Sequence, residues 1–463
     1  MNAPLIWIGI PLAAAVVLWI LRSRLAATYI AGGVSLLLVL LALLLPINSQ
    51  ITLGPWSLRL DDTFQLMGRY FIIGDQDRPV LMLMYLIGAV WFFSSSVLGM
   101  ARRFAPLGLG ITALMVAALS VEPFLYAALL VEMAVLMSIP LLISLGQRPG
   151  QGILRFVIFQ TMAMPFMLMA GWVAGNVGAS PANDQLLNQA VGLLALGFAF
   201  WLAVFPFFAW LPQFAEESPP FEVGFILSLL PVGILILMLD FLDGFIWLRS
   251  YELMPAALQF AGVAMVFTGG LGAAFERQLG RLFGYALMIE NGFVLLALSL
   301  GGSIGMEIMA ASLAPRLLAF WAWSIAMTVL EQGGVALNFA GIRGRLISLP
   351  LASGTILLAF FSLAGLPLLA GFPIRRLLIE ALTEQSLLVG SLAMLGMFGF
   401  MLSGFRMLNV FTGSEQRTWQ VGEKWPQMVV TILGIVALLT TGIFPGWLSS
   451  GMLNLLGAFG NLY

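Results

Sequence analysis

The chain has 463 residues, of which 61% are hydrophobic and 9% are charged. Its mean hydropathy is +1.04. Soluble domains carry about 25% charged and 45–50% apolar residues, so this composition excludes a water-soluble protein. The formal net charge is −1, and nothing in it points to nucleic acid as a partner.

Cysteine and histidine are both absent from the sequence. Their absence excludes disulfides, iron–sulfur clusters, His-ligated haem or zinc, and nucleophiles activated by histidine. Lys424 is the only lysine and lies in the polar stretch Gly413–Gln427, so no hydrophobic span carries a lysine. We therefore expect no cofactor in this chain.

Apolar runs long enough to cross a bilayer follow one another along the chain. Their length predicts helices, because strands of a membrane barrel would alternate over about 10 residues. The first run, Leu5–Leu21, precedes Arg22 and Arg24, which is the wrong order for a signal peptide, and we expect it to be retained. The sequence predicts an all-α integral membrane protein with about 14 transmembrane helices, near 4–21, 28–47, 79–99, 105–119, 121–145, 153–175, 187–210, 222–247, 254–275, 280–301, 315–338, 349–372, 386–410 and 427–450.

Basic residues are distributed unequally between alternate connections. Because cytoplasmic loops are rich in arginine and lysine, this bias predicts a prokaryotic inner (plasma) membrane protein with its N-terminus outside. The external stretch Ile51–Asp62 alternates and contains Gly54-Pro55, which predicts a short hairpin. The basic residues assigned to the cytoplasmic side are Arg22, Arg24, Arg102, Arg103, Arg148, Arg277, Arg281, Arg343, Arg345, Arg417 and Lys424.

Two proline-bracketed segments share the pattern P-x-x-A-x-x-P. They span Pro206–Pro212 and Pro367–Pro373, at an offset of 161 residues (206 to 367). Because proline interrupts a helix, and an odd number of spans separates the two segments, we predict two inverted repeats with broken seventh and twelfth helices. The alternative is a coincidence among the 23 prolines. Two charged pairs fall near the same offset: Arg155 with Arg316, and Glu132 with Glu290.

This repeat defines the predicted organisation of the chain. Residues 1–104 form the N-terminal helices and the external hairpin, and residues 105–247 form the first inverted repeat. Residues 254–410 form the second repeat, and residues 411–463 form a C-terminal loop and the last helix.

Three stretches resemble one family. Phe205–Pro212 looks like the broken seventh helix of the antiporter-like membrane subunits of NADH:quinone oxidoreductase (complex I), membrane-bound hydrogenases and multisubunit cation/proton antiporters. Ser362–Pro367, followed by Ala370–Phe372, is similar to the broken twelfth helix of the quinone-proximal member. Arg281–Tyr285 resembles the run that opens the tenth helix. The resemblance covers about residues 50–410.

The resemblance also implies positions for transport residues. In that family these are a glutamate on the fifth helix, lysines on the sixth, seventh and eighth, and a lysine or glutamate on the twelfth. By position, Glu132 corresponds to the fifth-helix glutamate, Arg155 to the sixth-helix lysine and Arg375 to the twelfth-helix residue. Glu290 stands where the tenth helix often has histidine or glutamine.

The central lysines of the family are missing. Trp201 occupies the seventh-helix position, and no basic residue lies near Pro231, where the eighth-helix lysine is expected. Buried lysine can exchange a proton within a membrane because desolvation lowers its pKa, whereas arginine keeps its charge and tryptophan does not titrate. We therefore expect any proton path to use carboxylates: Glu132, Glu290, Glu331 and Asp240.

Each candidate also has a structural interpretation. Glu132 and Arg155 are spaced to face each other as an ion pair on adjacent helices. Glu290 and Glu331 can pair with arginines of neighbouring helices, and Arg375 can lie at a membrane interface. An isolated intramembrane charge costs from about 3 to more than 10 kcal/mol, so ion pairing is the main alternative to transport.

Two further charged pairs follow the proline segments. Arg376 and Glu380 are four residues apart, which predicts a pair on one helix face. Glu216 and Glu217 are predicted to lie in a solvated cytoplasmic loop. We interpret both pairs as structural.

These observations leave two classes of function. The first is a membrane-arm subunit of a proton-translocating complex, which conducts protons through carboxylates or only scaffolds its neighbours. Its partners are sibling membrane subunits, the lipid bilayer and a quinone-reducing or hydrogenase arm, which would hold any redox centre. The alternative is a stand-alone secondary transporter, in which Arg155 and Arg375 bind an anion at the midplane.

Overall fold

In a computed structural model, the structure describes residues 2–20, 24–48, 50–53, 56–143, 146, 148–179, 184–413 and 422–462. Helices make up most of this part of the chain, and α1 continues from a π-helical segment, Leu5–Gly9. The helices are α1 Ile10–Ile20, α2 Arg24–Leu44, α3 Arg78–Leu98, α4 Phe104–Ser120, α5 Ala127–Leu142, α6 Gln151–Ala179, α7 Asp184–Trp201, α8 Trp210–Glu217, α9 Pro220–Gly244, α10 Ile246–Arg249, α11 Met254–Phe275, α12 Leu279–Ser299, α13 Gly302–Gln332, α14 Arg345–Ser348, α15 Pro350–Leu363, α16 Phe372–Gln385, α17 Leu387–Thr412, α18 Trp425–Ile443 and α19 Gly446–Leu453.

Within the described residues, ten helices are long and apolar enough to cross a membrane. They comprise α2, α3, α5, α6, α9, α11, α12, α13, α17 and α18, some with a short extension at one end. Three shorter apolar helices span Leu5–Ile20, Phe104–Ser120 and Pro350–Leu363. The predicted multi-pass helical membrane protein is therefore confirmed at this level.

Five short strands lie beside the helices, so the all-α prediction was incomplete. β1 (Gln50–Leu53) pairs antiparallel with β2 (Trp56–Arg59), which confirms the predicted hairpin. Its expected Gly54-Pro55 turn lies outside the described residues, as do Arg22 and Arg417. The second sheet was missed because its strands have two to four residues each: β3 Thr63–Leu66, β4 Arg69–Ile72 and β5 Val121–Glu122.

The centre of the molecule is formed by α9, α12 and α13. In the most apolar stretch of these helices, 94%, 89% and 83% of the residues are buried, compared with 33% in α17 and α18. The peripheral helices expose leucine, valine and phenylalanine side chains, as lipid-facing helices do. Polar groups that need protein partners in a membrane are therefore expected on the central helices.

Helix α7 ends in a tight turn at Trp201. The Val204 N–H donates to the Ala199 carbonyl at 2.9 Å, and the Ala203 N–H donates to the Phe200 carbonyl at 3.4 Å. This is the Schellman arrangement, in which the residue after the helix adopts a left-handed conformation. That residue is Ala203, with φ +53°, although glycine is usual at such a position.

Helix α15 ends in the same way at Leu363. The Leu366 N–H donates to the Phe361 carbonyl at 2.9 Å, and the Gly365 N–H donates to the Ser362 carbonyl at 3.2 Å. Gly365 takes the left-handed position, with φ +73°. Each donor and acceptor lies 162 residues after its counterpart in the turn that ends α7.

The four bracketing prolines do not lie within the helices that end at these turns. Pro206 and Pro367 follow helices that have already ended, at Trp201 and Leu363. Pro212 and Pro373 lie in the first turns of α8 and α16, where proline is tolerated because the first backbone N–H groups have no helical partner. The Schellman turns end the helices, and the prolines shape the segments that follow.

The two left-handed residues, Ala203 and Gly365, predict opposite changes in stability when each is replaced by the residue type of the other. Ala203→Gly should stabilise the protein by up to about 1 kcal/mol, because a left-handed alanine costs about 1–2 kcal/mol. Gly365→Ala should destabilise it by about 1–2 kcal/mol, since the added methyl would also lie 3.2 Å from Arg375 Cγ. Thermal unfolding of the purified chain in detergent measures both changes. Equal losses in the two variants would contradict this account of the turns.

Candidate functional site

A buried ion pair joins α12 to α16. Glu290 accepts a hydrogen bond from Nη2 of Arg375, and the two side chains are 4% and 6% exposed. The Arg375 guanidinium also lies over the ring of Phe293, 3.8 Å from its centroid. Because Arg375 is in the first turns of α16, this contact anchors the helix that follows the turn at the end of α15.

Asn291, the next residue of α12, contacts the turn that ends α7. Its Nδ2 donates to the Leu202 carbonyl at 2.9 Å, and its Oδ1 accepts from Nη2 of Arg316 on α13 at 2.6 Å. The neighbouring Trp201 carbonyl accepts a hydrogen bond from Nε2 of Gln160 at 3.2 Å. Side-chain amides thus satisfy carbonyls at the end of α7 that have no helical partner.

Glu290, Asn291, Arg316 and Arg375 together form the buried charge cluster. All four residues are 3–5% exposed. The three charged groups interact chiefly with one another, and arginine keeps its charge when buried. The cluster therefore contains one carboxylate and two guanidinium groups, with a formal charge of +1. Through two adjacent residues of α12, its members contact the turn that ends α7 and the start of α16.

Glu132 lies in a different environment on α5. Its Oε1 accepts a hydrogen bond from Thr161 Oγ1 at 2.7 Å. Its Oε2 is buried and has no hydrogen-bond partner within the described part of the chain. Glu132 is therefore only partly satisfied by hydrogen bonds, and it is not part of the buried charge cluster.

The structure does not bring Glu132 and Arg155 together. Arg155 is exposed and its Nη1 donates to Oε1 of Gln213 at 2.9 Å. The reason is the helix register. Thr161 lies as far from the start of α6 as Glu132 lies from the end of α5, so the antiparallel helices bring these two residues together. Arg155 is more than one turn nearer the loop.

The remaining acidic candidates lie outside the cluster. Glu331 and Asp240 are exposed near the ends of α13 and α9. Arg376 and Glu380 approach to 3.8 Å on one exposed helix face, as predicted.

The prediction that Glu216 and Glu217 lie in a solvated loop was wrong. Both belong to α8, and Glu216 forms an ion pair with Arg281. Glu217 accepts a hydrogen bond from the Gly152 N–H at 2.6 Å, at the start of α6. A helix start favours a carboxylate because its first N–H groups lack helical acceptors.

Sequence reasoning missed three site residues. Arg316 was noted only for its repeat spacing, although a charge in the middle of the apolar run of α13 could have identified it. Asn291 adjoins Glu290 in a long apolar segment, which is a weaker signal. Glu222 is 5% exposed, with a buried Oε2 that has no partner among the described residues. It is the first residue of the predicted span 222–247, and an acidic residue is common at a helix start, so its position alone did not single it out.

The charge balance of the cluster predicts that substitutions of its members lower the free energy of unfolding by unequal amounts. Glu290→Gln leaves two buried guanidinium groups without a carboxylate and should destabilise the protein by about 3–5 kcal/mol. Arg375→Gln leaves one charge of each sign and should cost about 1–3 kcal/mol. The exposed control Arg376→Gln should cost less than about 0.5 kcal/mol. Denaturant unfolding in detergent ranks the three variants, and a greater loss in Arg375→Gln than in Glu290→Gln would contradict this charge balance.

Known proteins with similar sequences include subunits of NADH-quinone oxidoreductase. A family model described as NADH:quinone oxidoreductase/Mrp antiporter, TM, matches residues 176–403. NADH-quinone oxidoreductase subunit 14 of Thermus thermophilus is 28% identical over 89% of this chain and 96% of its own length. Subunit N of Chromohalobacter salexigens is 26% identical, over 58% of each chain.

The fold has counterparts among solved structures. A chain in the structure of the Mrp complex from Dietzia sp. DQ12-45-1b superposes with a TM-score of 0.79 at 17% identity, covering 100% of this chain and 97% of that one. At that identity the likeness concerns the fold alone. Residues 176–403 thus match the NADH:quinone oxidoreductase/Mrp antiporter transmembrane family, and the chain as a whole is similar to subunits of NADH-quinone oxidoreductase.

Proposed function

We propose that this chain is a membrane-arm subunit of a proton-translocating, energy-converting complex in a bacterial plasma membrane. The match over 96% of the length of an NADH-quinone oxidoreductase subunit carries this proposal. Its partners are then sibling membrane subunits, and any redox centre belongs to another part of the assembly. The absence of cysteine and histidine from the chain is consistent with this division.

The proposed architecture has 14 transmembrane spans with the N-terminus outside. The first inverted repeat covers residues 105–247 and the second covers residues 254–410. Helices α7 and α8 form a broken seventh span, and α15 and α16 form a broken twelfth span. The matching hydrogen bonds at the two Schellman turns, at a constant offset of 162 residues, support this arrangement.

The proposed proton path runs through carboxylates of the first repeat and is entered from one carboxylate outside it, Glu331. Glu132 and Glu222 both have a buried Oε2 without a partner in the described residues, which suits groups that gain and lose a proton. Glu331 lies near enough to Glu222 for their charges to interact, and it is exposed. It is suited to admit protons from the cytoplasmic side.

The second repeat has a different role in this proposal. Glu290 is held by Arg375, and Arg316 adds a permanent charge nearby. Removing the charge of Glu290 would leave two buried guanidinium groups without a carboxylate, so this ion pair suits a structural role. We infer that the cluster holds the helix interruptions in place and provides a fixed field, while the first repeat conducts.

A substitution at Glu132 tests proton conduction. Glu132→Gln keeps the side-chain volume but removes the exchangeable proton, so the number of protons moved per electron should fall in complexes reconstituted into vesicles. The fall should match that of the Glu132→Gln, Glu222→Gln double variant, because the two groups act in series. Glu380→Gln removes an exposed carboxylate and serves as the control.

The scaffold interpretation predicts a different result. A degenerate subunit would leave proton translocation unchanged in the Glu132→Gln and Glu222→Gln variants, while deletion of the chain would still disrupt the assembly. Unchanged translocation in both variants therefore rejects conduction through this subunit.

The orientation has a separate test, which benefits from the absence of natural cysteine. Met67→Cys places a thiol in the turn between β3 and β4, where Met67 is 93% exposed. Lys424→Cys places one at the exposed start of α18. In sealed right-side-out vesicles, a membrane-impermeant thiol reagent should label the first variant and spare the second. The reverse pattern would overturn the N-outside assignment.

A further inference from the structure

A small cavity lies inside the second repeat, beside the buried charge cluster. It is lined by residues of α12, α13, α15 and α16, including Glu290, Ser312, Arg316, Ser362 and Arg375. Its volume is about 10 Å³, which is near the minimum for one particle of the size of water. The cavity is therefore too small for a polyatomic oxyanion such as phosphate or sulfate.

Two buried groups that line this cavity have no hydrogen-bond partner among the described residues. They are Nε of Arg375 and Oγ of Ser362, in residues that are 5% and 1% exposed. Buried polar groups almost always have a partner, since leaving one unpaired costs about 1–3 kcal/mol. Both groups can donate a hydrogen bond, so a ligand that suits them is an acceptor.

The charge of the cluster identifies the kind of acceptor. Arg316 and Arg375 carry two positive charges, and Glu290 carries one negative charge. The three groups interact chiefly with one another, so a formal charge of +1 remains uncompensated among apolar helices. A neutral water molecule would accept hydrogen bonds from the donors but leave the charge of +1. A monovalent anion would accept these hydrogen bonds and also neutralise the charge.

We propose that this cavity binds one monatomic anion, which is chloride under ordinary conditions. The anion is held by the guanidinium groups of Arg316 and Arg375 and by the hydroxyl of Ser362. It neutralises the cluster and stabilises the contacts between α12, α13 and the two helices around the second interruption. This site is structural and does not depend on proton conduction or on the identity of the complex.

Chloride-dependent stability of the purified full-length chain tests this proposal. Thermal unfolding is measured in detergent with sodium chloride exchanged for sodium gluconate at constant ionic strength. We expect Tm to rise with chloride concentration and then to saturate, with a smaller rise in iodide because the cavity is small. The exposed neighbour variant Arg376→Gln should keep the full chloride-dependent shift.

Substitutions within the cluster should change the chloride dependence in opposite directions. Arg316→Gln leaves one charge of each sign, so its Tm should no longer depend on chloride. Glu290→Gln leaves two positive charges, so its chloride-dependent shift should exceed that of the unsubstituted chain. Both effects follow from the charge of the cluster, whereas a general effect of salt on the protein surface would be the same in all variants.

Two results would overturn the proposal. One is an unchanged Tm between chloride and gluconate in the unsubstituted chain, which would leave water as the occupant. The other is an equal chloride-dependent shift in the unsubstituted chain and in Arg316→Gln. If Arg316→Gln does not fold, long-wavelength anomalous diffraction from crystals grown in chloride replaces it. A chloride peak between Arg375 and Ser362 supports the site, and its absence rejects it.

Discussion

The end of α7 depends on a supply of hydrogen-bond donors from outside its own helix. Within a membrane-spanning protein, water is not available to satisfy an interrupted backbone, so partners must come from the protein. Gln160 donates to the Trp201 carbonyl, and Asn291 donates to the Leu202 carbonyl. An Ala203 in the left-handed conformation completes the turn. Helix α12 meets this requirement because its central position brings the side chain of Asn291 to the turn that ends α7.

The same helix connects the end of α7 with the start of α16 through hydrogen bonds and an ion pair. Asn291 contacts the turn that ends α7 and Arg316, while its neighbour Glu290 holds Arg375 on α16. Charges this deep are stable only with close partners, since separating a buried pair costs several kcal/mol. The paired buried charges therefore lie on α12, α13 and α16. Two buried carboxyl oxygens without partners among the described residues, on Glu132 and Glu222, lie elsewhere, on α5 and α9.

Prediction from the sequence succeeded where a pattern is local. Long apolar runs predicted the helices, and alternation predicted the hairpin of β1 and β2, because both depend on neighbouring residues. The pairing of Arg376 with Glu380 follows from four-residue spacing alone. Sequence reasoning failed for the pairing of Glu132 with Arg155, because the register between two helices depends on where each begins and ends. It also missed the second small sheet, whose strands are too short to carry a pattern.

The sequence by itself determined the class of protein, the resemblance to its family and the absence of membrane-embedded lysine. These follow from residue types and from short motifs. Only the tertiary structure decided which charges meet. Arg316, Glu290 and Arg375 lie on three helices, and no local pattern indicates that those helices pack together. The function of each charged residue depends on that packing, because a buried charge is defined by its partners and by its exclusion from water.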